Sequence, residues 1–355
     1  MLKSKLETVM TTSECCASPW MRLYYGTGQY FSCCWAEQRS YTHSQWRPAK
    51  PEDELWNTWN SVVMVAARSV MASQGQTVAC KDVTRDGERG PCPFFIYGVG
   101  TDAQGLTELQ RANMIAAQES FRLGETVVRH YPLDLALCLD YVCNLRCAHC
   151  WQTDDRSHPW WGREGIDVER NASQIVEFCR RALVVELVGG EPTVSPRYER
   201  VLNLIREANG AKIRMTTNGL TLREKILPLK DMLSVVNISV DGATKAAYES
   251  LRGQDTWERF RSNLEAIVDS GIRHGYTMTV TSANLSDMAA VAELAHHTGA
   301  TYITYNAECG GGESPWMDKK QHSLRAPGVA EPLQANLSMA KDACRQFNIQ
   351  ASFYF

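Results

Sequence analysis

From Leu133 onward, short apolar runs alternate with segments of helical rhythm, and this alternation restricts the chain to a parallel α/β architecture. Runs at 133–139, 183–188, 213–216, 235–240, 276–281 and 301–305 read as strands. Helical spacing fills 168–182, 198–208, 222–230, 243–251, 257–270 and 285–297 between them. The pattern amounts to about six strand–helix units, a partial (β/α)6 barrel. A helix over 333–347 and a short strand over 349–354 follow as an extension. Parallel barrels keep their chemistry at the C-terminal ends of strands. The barrel's candidate residues all fall at such ends.

The first strand runs into Cys143-Asn-Leu-Arg-Cys147-Ala-His-Cys150, with cysteines spaced C-x3-C-x2-C. Three thiolates on one loop can hold three irons of a [4Fe–4S] cube. The fourth iron then lacks a protein ligand and stays open to an outside molecule. Zinc is the competing reading, but structural zinc takes four ligands. Only His149 and Cys138 stand nearby in the sequence.

At this loop the chain resembles the radical S-adenosylmethionine (SAM) superfamily. The resemblance implies that the open iron chelates the amino and carboxylate groups of SAM. It also implies reductive cleavage of SAM to methionine and a 5′-deoxyadenosyl radical. Gly189-Gly190-Glu191 ends the second strand. Glycines there permit close backbone approach, and a carboxylate can receive an ammonium. In the family this motif contacts the SAM amino group. Asn218 ends the third strand, and Ser239 and Asp241 end the fourth. The resemblance makes Ser239 and Asp241 candidates for the ribose hydroxyls, with Asn218 a further cofactor-binding candidate, although Asp241-Gly242 also makes an ordinary turn.

Residues 1–105 read as a separate cysteine-rich domain of hairpin plus helix, joined by a linker helix within 106–132 to the barrel of 133–355. Met21, Leu23 and Tyr25 alternate as a strand, Gly26-Thr-Gly28 turns, and 29–34 returns. Apolar residues from Leu55 to Met71 are spaced as a helix. Cys16, Gly28 and Cys33 match the opening of the SPASM or twitch modules that many radical SAM enzymes carry. Cys16, Cys33, Cys80 and Cys92 make a candidate ligand set for an auxiliary 4Fe–4S cluster, here ahead of the barrel rather than after it. The doublets Cys15/Cys16 and Cys33/Cys34 leave the register open. Buried free thiols and a four-thiolate zinc site are the competing readings.

After the sixth strand, Cys309 lies beside Gly310-Gly-Gly312. A thiol there can donate a hydrogen atom, ligate a cluster or be inert. The 13 cysteines are odd in number, and Met1–Met10 does not read as a signal peptide, so a reducing cytoplasm is expected. A net charge of -3 and the absence of any long apolar run argue against nucleic-acid and membrane partners.

The expected function is radical chemistry on a small polar substrate, a sugar, nucleoside or amino acid, in natural-product biosynthesis. An electron donor such as flavodoxin or ferredoxin would supply the reductant. Peptide modification, by epimerisation or thioether formation, is the alternative. A non-catalytic metal–thiolate module is the alternative from another class.

Overall fold

The computed structural model describes residues 16–26, 29–31, 55–74, 104–150, 165–253, 255–307, 323–324 and 326–354. The chain divides into two compact units. The first takes residues 1–140, 163–189 and 196–212, and the second takes 141–162, 190–195 and 213–355.

In the first unit the strand order is β2-β1-β3-β4. Its strands are β1 (Arg22–Gly26), β2 (Gln29–Phe31), β3 (Asp134–Cys138) and β4 (Val184–Val188). The expected hairpin is present, with Tyr24 opposite Phe31 in antiparallel register. Its first strand also runs parallel to β3, pairing Leu23 with Leu135. β3 pairs in parallel with β4 in turn.

Helices pack against this sheet for visible reasons. α1 (Ser18–Met21) carries Trp20, which is buried and donates its indole N–H to the Glu125 carbonyl at 2.8 Å. One helix was expected from Leu55 to Met71, but two form, α2 (Leu55–Trp59) and α3 (Val62–Gln74). The break is at Asn60, whose amide bonds the Val128 backbone in both directions, at 3.0 and 2.9 Å. Such side-chain competition for backbone partners is what ends helices at Asn and Ser. α4 (Glu108–Leu123) begins with a Thr107–Gln110 capping box and ends on Gly124 in the left-handed conformation. α5 (Ala172–Arg181) and α6 (Tyr198–Ala208) complete the unit.

Buried Arg68 ties these pieces together. Its guanidinium donates to the carbonyls of Pro19, Thr126 and Trp59 and stacks 4.4 Å from the Trp59 ring. Burial pulls it down to about 9. Next to it, His130 is buried edge-on to Trp59, and among the described residues its Nε2 has no hydrogen-bond partner. Burial, helped by the Arg68 charge, moves His130 from the ordinary 6.5 to about 4.

The folded state therefore holds a neutral ring where the unfolded chain would take up a proton. Stability is full above about pH 6.5 and falls as the pH drops toward 4. The loss expected across that window is about 3 kcal/mol, at roughly 1.4 kcal/mol per pKa unit. Urea unfolding measured between pH 4 and 7 checks this, and His130→Phe should remove most of the slope.

The second unit holds β5 (Lys212–Thr217) from Ile213 onward, then β6 (Leu233–Ser239), β7 (His274–Val280), β8 (Tyr302–Ala307) and β9 (Gln350–Tyr354), in that order. All four pairings are parallel. The helices are α7 (Lys245–Arg252), α8 (Trp257–Val268), α9 (Met288–Thr298) and α10 (Ala330–Gln346). One sheet face is apolar and buried, with Val236, Ile238, Met278, Val280, Ile303 and Tyr305. The opposite face carries half-buried Asn237, Ser239, Thr277, Thr279, Thr304 and Asn306. Period-2 alternation places the two sets on opposite sides.

The segment 222–230 was expected to be an ordinary helix. It is a π turn, Leu222–Ile226, followed by a 3-10 turn, Leu227–Met232. Pro228 lacks the N–H that an α-helix would require there.

The fold class is the expected parallel α/β. Among the described residues, β2 in the first unit and β9 in the second each pair with one neighbouring strand. Among the described residues no helix is long and apolar enough to cross a membrane.

Candidate functional site

The cysteine loop leaves β3 and turns tightly. The Cys150 N–H donates to the Cys147 carbonyl at 3.1 Å. The Leu145 N–H donates to Cys143 Sγ at 3.4 Å, while the Leu145 side chain is buried as an apolar peg. Cys147 is buried, Cys150 is half-buried and Cys143 is exposed. Cys138, the nearby extra thiol, is buried in the first unit and donates to the Asp140 carbonyl.

Every described barrel candidate except Gly189 lies in the second unit, at the ends of strands or the turns after them. The two glycines permit close approach, but to the chain's own backbone. A Cβ at Gly190 would lie 2.2 Å from the Val142 carbonyl oxygen, just ahead of Cys143. One at Gly189 would lie 2.2 Å from the Asp140 carbonyl oxygen. The Glu191 N–H then donates to that same Val142 carbonyl at 2.8 Å.

Glu191 is fully buried, and its carboxylate is well occupied. It accepts from the Thr193 hydroxyl at 2.6 Å, the Thr217 hydroxyl at 2.9 Å and the Asn218 N–H at 2.7 Å. Burial pushes its carboxyl up, and these donors oppose the shift. Asn218 in turn donates its amide to the Asn144 side chain, inside the cysteine loop, at 2.7 Å. Glu191 and Asn218 thus form a chain of bonds from the end of β5 to that loop.

A second chain starts at β6. Asp241 is buried and accepts from the Thr279 N–H at 3.0 Å. It faces His149 Nε2 at 3.5 Å and the Arg252 guanidinium at 2.8 Å. Arg252 also donates to the Ser239 carbonyl at 2.7 Å and lies 3.9 Å from Cys147 Sγ. Burial lowers Arg252, but Asp241 and Cys147 outweigh it and the net shift is upward. The Cys147 thiol is pushed up by burial and drawn back by the Arg252 charge.

Arg252, Asn144, Thr193 and Thr217 were not picked out from the sequence, and His149 was noted there only as a residue near the cysteines for the competing zinc reading. Arg252-Gly253 reads there as an ordinary basic residue and glycine stop at a helix end. Of the remaining candidates, Cys16 is buried in the first unit. Cys33, Cys80, Cys92 and Cys309 lie outside the described residues.

Residues 140–295 match the Radical SAM superfamily model. Over those residues the chain carries a radical SAM domain. Radical SAM enzymes use a 4Fe–4S cluster and SAM, and the donor set here suits the cluster. Among the described residues no three His, Cys, Asp or Glu side chains converge as a single-ion site requires. Thiolates that each hold a separate corner of a cube need no such convergence.

The radical SAM relatives include the mycofactocin maturase MftC of Mycobacterium tuberculosis, 30% identical over 199 residues, 52% of this chain and 49% of that protein. The antilisterial bacteriocin subtilosin biosynthesis protein AlbA of Bacillus subtilis is 26% identical over 230 residues, 59% of this chain and 50% of that protein. A probable GTP 3′,8-cyclase of Sulfurisphaera tokodaii is 26% identical over 169 residues, 47% of this chain and 53% of that protein. The chain thus spans about half the length of the curated relatives it matches. Among solved structures, anSMEcpe with bound AdoMet superposes with a TM-score of 0.51 at 19% identity, covering 62% of this chain and 64% of that one.

Proposed function

We propose that this chain is a radical SAM enzyme that modifies a peptide. Cys143, Cys147 and Cys150 would hold the 4Fe–4S cluster. When bound, the cluster and SAM supply a reductive cleavage that yields a hydrogen-abstracting radical. The chain's own residues position that chemistry. Glu191 and Asn218 hold the cysteine loop against the end of β5. Asp241 and Ser239 present polar atoms at the end of β6 for the SAM ribose, and the Gly190-Glu191 turn presents backbone for its amino group.

The peptide reading is carried by the half-buried face of β6, β7 and β8. It offers Asn237, Ser239, Thr277, Thr279, Thr304 and Asn306, and no Lys or Arg. Neutral amides and hydroxyls suit peptide groups, whereas a nucleoside triphosphate requires cations to bind its phosphates. The relatives named as a maturase and a bacteriocin biosynthesis protein support the same reading. It moves the expected substrate from a small polar molecule to a peptide. The GTP 3′,8-cyclase relative favours the small-molecule reading and sets the comparison for the test.

Anaerobically reconstituted chain, SAM and a one-electron reductant are incubated with synthetic peptides encoded by short reading frames beside the gene, or with GTP. A mass change in a peptide and none in GTP supports the proposal. A change in GTP alone overturns it.

The same reading assigns Cys16, Cys33, Cys80 and Cys92 to a second cluster and an electron donor of the flavodoxin or ferredoxin type to its reduction. Iron analysis should then find about eight irons per chain rather than four. Cys309 is retained as a candidate hydrogen donor. In D2O, Cys309→Ala should lose solvent deuterium from the product.

A further inference from the structure

The last turn of α7 grips the middle of the cysteine loop at three consecutive residues. The Leu251 carbonyl accepts the Ala148 N–H at 2.6 Å. Gly253, at φ +67, lets the backbone pass so close that a Cβ would lie 2.9 Å from the Arg146 carbonyl oxygen. Between them, the Arg252 guanidinium approaches Cys147 Sγ at 3.9 Å. α7 is held at its other end too. The Asp287 carboxylate accepts from the N–H groups of Ala243 and Thr244 at 2.9 and 3.1 Å. The guanidinium is therefore fixed in place, buried, and lies between one candidate cluster ligand and Asp241.

We infer that Arg252 is a positioning residue that sets the reduction potential of the cluster through Cys147. The inference rests on the cluster reading above. A buried cation hydrogen-bonded to a ligating sulfur favours the form carrying more negative charge. When the cluster takes one electron from an external reductant its net charge falls by one. Hydrogen bonds to sulfur and local charge are among the factors that set such potentials. Arg252 therefore makes reduction easier. Because the same guanidinium pairs with Asp241, groups binding at that carboxylate would also reach the cluster through it.

The test is a redox titration of the reconstituted full chain, followed by the EPR signal of the reduced cluster. Iron and sulfide content are measured alongside. Arg252→Gln should keep a cluster whose equilibrium constant for reduction is at least tenfold lower, a shift of about 59 mV to more negative potential. Arg252→Lys keeps the charge but loses the forked geometry, and should move in the same direction by less. It also decides the matter if the Gln variant does not fold. SAM cleavage should fall in Arg252→Gln with dithionite and recover with the stronger reductant titanium(III) citrate, which a merely structural role would not produce. A wild-type chain that takes up no cluster overturns the underlying reading. A loaded wild type whose potential is unchanged in the variants that fold overturns the role of Arg252 alone.

Discussion

Replacing any one of Cys143, Cys147 and Cys150 with Ala is expected to reduce 5′-deoxyadenosine formation to background while leaving the fold intact. The two halves of this expectation have different origins. Three thiolates are the whole protein contribution to a site-differentiated cube, so losing one leaves two irons without protein ligands. A cluster held at two corners is not retained through anaerobic desalting. The fold survives because Cys143 is exposed and Cys150 half-buried, so their removal opens little or no cavity. Cys147 is buried and its variant should be the least stable of the three. Iron content, circular dichroism and chromatographic detection of 5′-deoxyadenosine check each part. Cleavage persisting in any of the three variants would remove that cysteine from the ligand set.

Gly190→Ala is expected to be nearly as damaging without touching a ligand. The new methyl would sit 2.2 Å from the Val142 carbonyl oxygen and 2.7 Å from that of Tyr141. Both are backbone atoms, so no side chain can swing aside. Either the Gly190-Glu191 turn or the segment before Cys143 must move. Moving the turn breaks the Glu191–Val142 bond and disturbs the donors around the Glu191 carboxylate. Overpacking of this kind costs about 1–3 kcal/mol. Displacing reacting groups by about 1 Å can cost on the order of 100-fold in rate. The expected result is a folded, less stable protein with poor cluster occupancy and SAM cleavage lowered about 100-fold. Wild-type cleavage in Gly190→Ala would mean that this close approach has no part in placing the loop.

The parallel α/β pattern was legible because its signal is repetitive. Six apolar runs followed by polar strand ends announce a parallel sheet whatever the loops do. The cysteine loop was equally legible, since its spacing is local. What escaped reading depends on contacts between distant segments. β1 looks like half of a lone hairpin, and nothing in Arg22–Gly26 declares that it pairs with Leu135 and its neighbours. The helix break at Asn60 follows from Val128, far along the chain. Arg252 has no local signature because a basic residue near a helix end is common. Glu191 was picked out from the sequence as a carboxylate that can receive an ammonium, and its bonds to Thr193, Thr217 and Asn218 could not be foreseen. Those partners come together only when β5 is in place.

The seating of β1 on β3 also bears on how this chain could be shortened. A truncation that starts the protein at the barrel would strip β3 of its neighbour and leave a bare row of amide and carbonyl groups along Asp134–Cys138. Such an uncovered border recruits strands from other molecules. Trimmed versions should therefore clump, and the stretch containing Arg22–Gly26 is better regarded as a seal on the sheet than as a removable appendage.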